Sequence, residues 1–221
     1  RHCAASCFAG LYAHMPTMKT IQLFLMGASA LALSACGSET TQPRAGGAEA
    51  GCATRAYAEI GGPFELTAQT GEVMTEADFK GKPTLVFFGF TYCPDICPGT
   101  LVKIKNAYER LPEGVEPPQT IFITVDPERD TPEVLAQYLS LDAFPDNVVG
   151  LTGTPEQIRA AANAFIADYS RVEQPESVAD YTMDHTSLSY LMDENWELKT
   201  FFSDVDTDPA GMAACLAEHM S

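Results

Sequence analysis

The sequence reads TLVFFGFTYCPDICP over residues 84–98. Its first half, residues 84–90, is an almost continuous apolar run, which is typical of a β-strand buried on both faces. Cys93 and Cys97 follow at once, and beyond them apolar residues recur with a helical period up to Leu111. A strand that leads through two cysteines into a helix indicates a thiol site, because amides at a helix N-terminus stabilise a thiolate.

The order of the remaining elements indicates the fold class. A second buried strand is predicted over residues 120–125, and two helices begin where a threonine precedes a proline, at Thr131 and Thr154. A hairpin over residues 187–202 and a helix that begins at Pro209 complete the pattern. We therefore predict an α/β fold of the thioredoxin-like type, with a central mixed β-sheet flanked by helices and an N-terminal strand and hairpin extension.

Only the last of four predicted segments of this 221-residue chain is expected to fold. The third segment is rich in small residues and has no periodic apolar pattern, as in a flexible tether. The segments are residues 1–17, an upstream remnant outside the mature protein; residues 18–35, a lipoprotein signal peptide; residues 36–55, the tether; and residues 56–221, the thioredoxin-like domain.

The signal peptide is inferred from its charge, its apolar length and the residues at its end. Lys19 precedes an apolar run that is too short to span a bilayer, which requires about 20 residues. The run ends in LSAC at residues 33–36, which has the form of a lipobox, so Cys36 is the predicted lipidation site. An ordinary signal peptide that is cleaved elsewhere is the alternative. These features predict a protein of the bacterial cell envelope, on the periplasmic side, with a lipid anchor in the membrane.

The acidic composition argues against one class of function. The formal net charge is −17 at pH 7, and removal of residues 1–35 leaves −19, because that segment holds two of the 13 basic residues and none of the 30 acidic ones. Such a surface would repel phosphates, so we expect no nucleic acid partner. The sequence also has no phosphate-binding loop, GxGxxG or HExxH motif, which leaves nucleotide and zinc-protease chemistry without support.

Four of the seven cysteines remain once the signal peptide is removed and Cys36 carries lipid. Export to an oxidising compartment permits disulfides among them. Cys52 and Cys215 lie at the two ends of the predicted domain and could form a staple, while Cys93 and Cys97 could pair with each other. Spacing does not decide connectivity, so these possibilities stay open.

The CxxxC spacing and a downstream histidine favour a metal site. Residues four apart on a helix share one face, so Cys93 and Cys97 can reach a common ion. Pro94 and Pro98 disfavour a regular helix through the motif, which predicts a tight loop and a helix that becomes regular near Pro98. His185 precedes a predicted strand, at a loop that a thioredoxin layout brings beside the cysteines. Thioredoxins carry a cis-proline there, so the histidine favours metal binding over disulfide exchange.

Two sulfurs and one imidazole are a ligand set for copper, as Cu(I) or Cu(II). Cu(I) accepts two thiolates with or without an imidazole, whereas a structural zinc ion usually takes four ligands. A fourth cysteine or histidine is not evident near the site. The remaining histidine of the domain, His219, is predicted to be exposed.

Four motifs occur in order within residues 61–203: FFGFTYCPDICP at 87–98, VDPERDTP at 125–132, GLTGT at 150–154 and DHTS at 184–187. Through them the chain resembles the SCO/SenC family, the copper-delivery proteins for cytochrome c oxidase. The resemblance implies a thioredoxin-like fold with copper held by Cys93, Cys97 and His185. It also implies delivery to the binuclear copper site of cytochrome c oxidase subunit II. Another periplasmic copper chaperone and a thioredoxin-like reductant are further candidate partners.

The resemblance also bears on two positions outside the ligand set. Asp126 matches an acidic residue that the family has close to the site, which implies a role beside the ligands or in docking the partner. A turn residue ahead of Pro127 is the alternative. The chain departs from the family at Asn195-Trp196, where a glycine is usual in a hairpin turn, and asparagine tolerates the left-handed conformation there.

The main hypothesis is therefore a copper metallochaperone. The alternative is a thiol–disulfide oxidoreductase that uses Cys93 and Cys97 as a redox-active pair to keep the oxidase cysteines reduced. His185 discriminates between them, because a reductase can lose it and a copper carrier cannot. A peroxiredoxin-like peroxidase is disfavoured, since no suitable arginine is evident beside Thr91.

Overall fold

The structure, a computed structural model, describes Cys52, Tyr57 and residues 59–220. The strands in this part of the chain are β1 Glu65–Ala68, β2 Val73–Thr75, β3 Thr84–Gly89, β4 Gln119–Thr124, β5 Val148–Thr152, β6 Tyr169–Glu173, β7 Tyr181–His185, β8 Leu188–Met192 and β9 Leu198–Ser203. The helices are α1 Ile96–Tyr108, α2 Pro132–Leu139, α3 Pro155–Ala164 and α4 Pro209–Met220, and a short 3-10 helix, Glu76–Phe79, follows β2.

A mixed sheet of seven strands forms the centre of the protein, in the order β2-β1-β5-β4-β3-β8-β9. The β3, β4 and β5 strands are parallel, and β1, β2, β8 and β9 pair antiparallel at the two sides. A separate ribbon consists of β6 and β7. This arrangement confirms the predicted thioredoxin-like fold, and β1 with β2 is the predicted N-terminal extension.

The β3 strand is buried along its whole length, as its apolar run predicts. One of its faces contributes to the main core, where the Phe88 and Phe165 rings lie 5.5 Å apart between centroids. The other face packs Leu85 into a second cluster with Leu191 and Leu216, the last of which comes from α4. Because helices cover both faces, the strand is rigidly held and its carboxyl end is a fixed platform.

Several predictions lie outside the described residues. They concern the remnant at 1–17, the signal peptide at 18–35, lipidation of Cys36 and almost all of the tether. Within the described part of the chain, no helix combines the length and apolar character that crossing a membrane requires.

The largest difference from the sequence analysis is the ribbon of β6 and β7, two strands that were not predicted. Glu173 ends β6, and residues 174–180 connect the two strands as a loop. The β6 strand is mostly exposed and does not alternate between apolar and polar residues, so it lacks the pattern by which a half-buried strand is recognised. The β5 strand was also not predicted.

Helix α1 begins earlier than predicted. It starts at Ile96, and Pro98 is its third residue rather than the point where it becomes regular. The reason is that the first four amides of a helix have no carbonyl partner within it, so a proline there removes no helical hydrogen bond. Cys97 therefore lies inside the first turn of the helix.

The turn between β8 and β9 contradicts the expectation for Asn195. The left-handed residue is Trp196, with a φ of 70°. Its indole is only 6% exposed and packs against Phe64, with 5.9 Å between ring centroids, and against Phe79 at 6.1 Å. Burial of a large aromatic side chain offsets the cost of the left-handed backbone, which is about 1–2 kcal/mol.

A disulfide joins Cys52 to Cys215 of α4, and Cys93 and Cys97 are free. The bond is one of the pairings that the sequence left open. It ties the segment before the domain to the last helix across a sequence separation of 163 residues. Cys215 itself is 5% exposed, in the cluster that α4 forms with β3 and α1.

The prediction that His219 is exposed is wrong. The residue is half-buried on α4, and burial lowers the pKa of its imidazole. It lines a pocket of about 240 Å³ together with Pro83 and Met192. The sequence misleads here because the helix packs its last turn against the start of β3 and the end of β8.

Replacing Cys215 by alanine is expected to lower the free energy of unfolding by about 2–5 kcal/mol, because a crosslink that closes a long loop restricts the unfolded chain. Denaturant unfolding of the full chain without reductant would measure the loss, and Cys52→Ala should reproduce it. With reductant, the difference between wild type and variants should largely vanish. Equal stability of wild type and both variants under oxidising conditions would contradict a stabilising disulfide.

Candidate metal centre

The loop that carries the cysteines is anchored by a buried carboxylate. Asp130 is fully buried and accepts hydrogen bonds from the Thr91 amide at 3.0 Å, the Thr91 hydroxyl at 2.5 Å and the Thr124 hydroxyl at 2.6 Å. Thr91 lies just beyond β3 and Thr124 ends β4, so one side chain joins the ends of two parallel strands. Burial raises the pKa of Asp130, and the three donors oppose that effect.

Sequence reasoning did not select Asp130, although it belongs to the VDPERDTP motif. Its position in the sequence could have identified it. Asp130 follows β4, and β4 is parallel to β3, the strand that precedes the cysteines. The carboxyl ends of neighbouring parallel strands meet at one edge of a sheet, so residues that follow both strands are brought together.

The two cysteines occupy different environments. Cys93 is half-buried on the loop, and Cys97 is completely buried in the first turn of α1. The Cys97 amide donates to the Cys93 Sγ at 3.3 Å. A hydrogen bond from the Cys97 side chain, followed by the amides of Cys97, Asp95 and Ile96, lowers the pKa of Cys93 to about 5, against the effect of burial.

Cys97 is shifted in the opposite direction. Its hydrogen bond to Cys93 and its burial both raise the pKa of the Cys97 thiol. At neutral pH the pair therefore consists of one thiolate, Cys93, and one thiol, Cys97. The thiolate form of a cysteine is the nucleophile and the metal ligand, so Cys93, the less buried of the two, is the more reactive one.

His185 completes the group from the last position of β7. Its Nε2 lies 3.7 Å from the Cys97 Sγ, and its Nδ1 lies 3.1 Å from the Thr186 carbonyl oxygen. A carbonyl only accepts hydrogen bonds, so Nδ1 carries the proton and the lone pair of Nε2 is free to face the sulfur. The ring is held by Phe90, with 5.9 Å between centroids, and by Phe87 at 6.4 Å.

The structure thus places Cys97 next to Cys93 of the loop and next to His185 of the separate ribbon. The sequence placed His185 in a loop before a strand, whereas it ends β7 and is followed by β8. Two ligands that bind one ion at about 2.0–2.3 Å each cannot be more than about 4.5 Å apart. The 3.7 Å between the Cys97 and His185 atoms meets this limit. The arrangement can hold a soft metal ion or exchange disulfides.

Asp126 does not point its carboxylate outward. The residue is 3% exposed, and its side chain accepts hydrogen bonds from the Tyr181 hydroxyl at 2.8 Å and from Arg129 Nε. These contacts join the end of β4 to the start of β7, the strand that carries His185. Its role beside the ligands or in docking a partner stays a prediction.

Arg129, which the sequence analysis did not select, links the cysteine loop to the ribbon. Its guanidinium lies 3.7 Å from the ring centroid of Tyr181 and 4.7 Å from that of Tyr92, the residue before Cys93. It also donates to the carbonyl oxygens of Ala179 at 3.3 Å and Tyr181 at 3.2 Å. The stack of Tyr92, Arg129 and Tyr181 therefore positions the strand of His185 against the loop of Cys93.

Asp204 is a further residue that sequence reasoning missed. It follows β9, and burial raises the pKa of its carboxyl group. Its charge contributes to the raised pKa of Cys97, and Lys103 Nζ lies 3.8 Å from its Oδ1. The sequence holds no signal for this placement, because an aspartate in a polar turn is typical of an exposed residue.

Alkylation of Cys93 in the reduced apoprotein is expected to follow a pH profile with a midpoint near 5, because its pKa is lowered to about that value. An ordinary thiol would give a midpoint near 8.5. The rate of reaction with iodoacetamide, with mass spectrometry to identify the modified residue, measures the profile. Cys97→Ala should raise the midpoint, since it removes the strongest hydrogen bond to the thiolate. A midpoint above 8 in the wild type would contradict the thiolate.

Replacing Arg129 by glutamine is expected to loosen the ribbon. A largely desolvated cation–π contact contributes about 1–2 kcal/mol, so amide exchange in residues 169–185 should accelerate about 5- to 30-fold. Arg159→Gln is the matched control, because Arg159 stacks on Tyr169 of the same ribbon but is 44% exposed, against 19% for Arg129. Hydrogen exchange that is equally fast in both variants would count against a positioning role for Arg129.

Comparisons with known proteins show the family of this chain. The sequence profile of the SCO1/SenC family matches residues 53–221. Protein SenC from Rhodobacter capsulatus is 41% identical over 158 residues, which cover 72% of this chain and 69% of SenC. The structure of Bradyrhizobium japonicum ScoI with copper bound is 40% identical, with a TM-score of 0.64 over 73% of this chain and 99% of that one. Arabidopsis thaliana ScoI with copper bound is 36% identical, with a TM-score of 0.67 over 72% of this chain and 96% of that one. This chain therefore belongs to the SCO1/SenC family.

Proposed function

We propose that the protein is a copper metallochaperone that holds copper through Cys93, Cys97 and His185. The observation that carries the proposal is the approach of the His185 Nε2 to within 3.7 Å of the buried Cys97 Sγ, with its Nδ1 bound to a backbone carbonyl. A histidine oriented in this way offers its free nitrogen to a metal. Copper is the soft cation that suits two sulfurs and an imidazole, and relatives with 40% and 36% identity have been solved with copper bound.

The cargo is proposed to pass to cytochrome c oxidase subunit II. The family is linked to assembly of that oxidase, and the resemblance implies that the binuclear copper site of subunit II is the acceptor. Cys93 is the ligand that a partner reaches first, because it is half-buried while Cys97 is enclosed. Its neighbours Tyr92 and Ile96 are 57% and 49% exposed, which offers apolar surface for docking. A thiolate on an accessible loop lets incoming ligands replace it one at a time.

The proposed setting is the periplasmic side of the bacterial cell envelope. A lipid on Cys36 and the tether of residues 36–55 would keep the domain near a membrane-bound oxidase while it stays free to rotate. A second periplasmic copper chaperone as donor, and a thioredoxin-like reductant that keeps the cysteines reduced, belong to the same proposal.

The contrast between the two thiols favours a second candidate function, thiol–disulfide exchange. In that reaction the Cys93 thiolate attacks a disulfide of the oxidase and releases one of its sulfurs, which takes up a proton. Cys97 then loses its proton and attacks Cys93, which releases the second oxidase sulfur for protonation. The oxidase gains two electrons and two protons, and this protein ends with a Cys93–Cys97 disulfide. His185 takes no electrons in this scheme.

A Cu(I) titration against a competing chelator separates the two functions. We expect the reduced full chain, in a background that retains Cys93 and Cys97, to bind one equivalent tightly. The background replaces the other cysteines by alanine: Cys3, Cys7, Cys36, Cys52 and Cys215. Binding should be lost in Cys93→Ser and in Cys97→Ser. It should weaken about tenfold or more in His185→Ala, since even indirect supports of a metal ligand cost that much. Circular dichroism checks that each variant is folded.

The matched control is His219→Ala, which removes the other histidine of the domain and should leave this affinity unchanged. With Cu(II), a thiolate-to-copper charge-transfer band should appear and be lost in the same variants. Transfer is measured by mixing the copper form with the copper-binding domain of subunit II and recording the absorption of the acceptor. If the copper affinity does not depend on His185 and the protein rapidly reduces an oxidised acceptor, the chaperone function is contradicted and the reductase function is supported.

A further inference from the structure

A second group of two sulfurs and an imidazole lies outside the site described above. The ligand atoms of Cys52, Cys215 and His219 are all within 4.8 Å of one another. Cys215 and His219 are four residues apart on α4, so they share a face of the helix, and Cys52 approaches from the segment before the domain. In the structure the two sulfurs are bonded to each other as a disulfide, so in this oxidised state they cannot act as thiolate ligands.

His219 has a free nitrogen in this group. Its Nε2 is buried and has no hydrogen-bond partner among the residues that the structure describes. A buried polar atom without a partner destabilises the folded protein, and a bound ligand would remove that cost. The pKa of the imidazole is lowered by burial and by the charge of Lys199, while Glu218 raises it. A neutral ring in this position carries a lone pair that can bind a metal.

We propose that reduction of the Cys52–Cys215 disulfide opens a second Cu(I) site, formed by the two thiolates and the imidazole of His219. Two soft sulfurs with one imidazole suit Cu(I), which is stable with three ligands, better than zinc, which usually takes four. The group comprises three ligand atoms within the described residues. The site unites the N-terminal segment with α4, so a bound ion would replace the disulfide as the link between them.

A dithiol reductant supplies the electrons and protons that reduce the Cys52–Cys215 disulfide. The dithiol donates two electrons and two protons to the Cys52–Cys215 bond, becomes a disulfide itself and leaves two thiols. Cu(I) then displaces both thiol protons and is neither oxidised nor reduced. While the ion is bound, the sulfurs cannot close the disulfide again.

The second site is remote from the first. His219 lines its pocket with Pro83, directly before β3, whereas Cys93 follows the other end of that strand. A strand of this length spans roughly 17 Å, so the two groups cannot share an ion. The two copper ions would bind independently, and the second would depend on the redox state of the protein.

The test uses the full chain with Cys52 and Cys215 as its remaining cysteines. Serine replaces the others: Cys3, Cys7, Cys36, Cys93 and Cys97. The protein is reduced with a phosphine, desalted under nitrogen and titrated with Cu(I) against a chromophoric chelator. We expect one equivalent to bind in the reduced form and none in the oxidised form. His219→Ala should weaken binding about tenfold or more, Cys215→Ala should abolish it, and His185→Ala, the matched control, should leave it unchanged.

Two further measurements keep the outcome decisive if reduction loosens the fold. Cu(I) should raise the melting temperature of the reduced protein, and this rise should be absent in His219→Ala. X-ray absorption should report one nitrogen and two sulfur ligands. The proposal is overturned if the reduced protein binds no Cu(I), if binding is the same without His219, or if one equivalent of Zn(II) displaces the copper.

Discussion

The hydrogen bonds to the buried carboxylate of Asp130 decide where the cysteine loop begins. Thr91 donates two hydrogen bonds to this carboxylate and Thr124 donates one, so the position of the backbone just after β3 is fixed. These bonds lie in the interior, where each is stronger than in water and where a carboxylate without donors would be costly. The fixed exit from β3 brings the Cys93 sulfur to the first amides of α1, and these lower its pKa. The reactivity of the loop therefore depends on a residue that does not touch either sulfur in the contacts described.

The residues that follow β4 serve both sides of the site. Asp130 faces inward to Thr91, and Asp126 faces Tyr181 at the start of β7. Arg129 lies between them in sequence and stacks between Tyr92 and Tyr181. The parallel pairing of β3 and β4 puts their carboxyl ends side by side, so one short motif can hold both the cysteine loop and the histidine ribbon. A ribbon that pairs with no strand of the main sheet needs such contacts to hold His185 near Cys97.

Sequence patterns predicted the parts of this structure that depend on local chemistry. The apolar run of β3, the capping threonines at Thr131 and Thr154 and the thioredoxin-like order are visible because burial and capping leave marks within a few residues. The β6–β7 ribbon was not predicted, because its support comes from Arg129 and Asp126 on a distant segment. The same holds for Asp204, whose burial depends on where β9 ends. Trp196 and His219 were misjudged because tertiary packing overrides the preferences of the isolated turn and helix end.

The two cysteine and histidine groups differ chiefly in their position on a helix. In each group, two members are four residues apart in the sequence, and the third comes from a remote segment. Cys93 and Cys97 lie at the N-terminus of α1, where the positive end of the helix dipole stabilises a thiolate. Cys215 lies in the middle of α4, away from its first turn, so a helix N-terminus does not stabilise a thiolate there. Sulfurs there are more stable in a disulfide or beside a cation than as free thiolates. Helix polarity therefore favours a reactive thiolate at Cys93 and gives the bonded pair of Cys52 and Cys215 no such stabilisation.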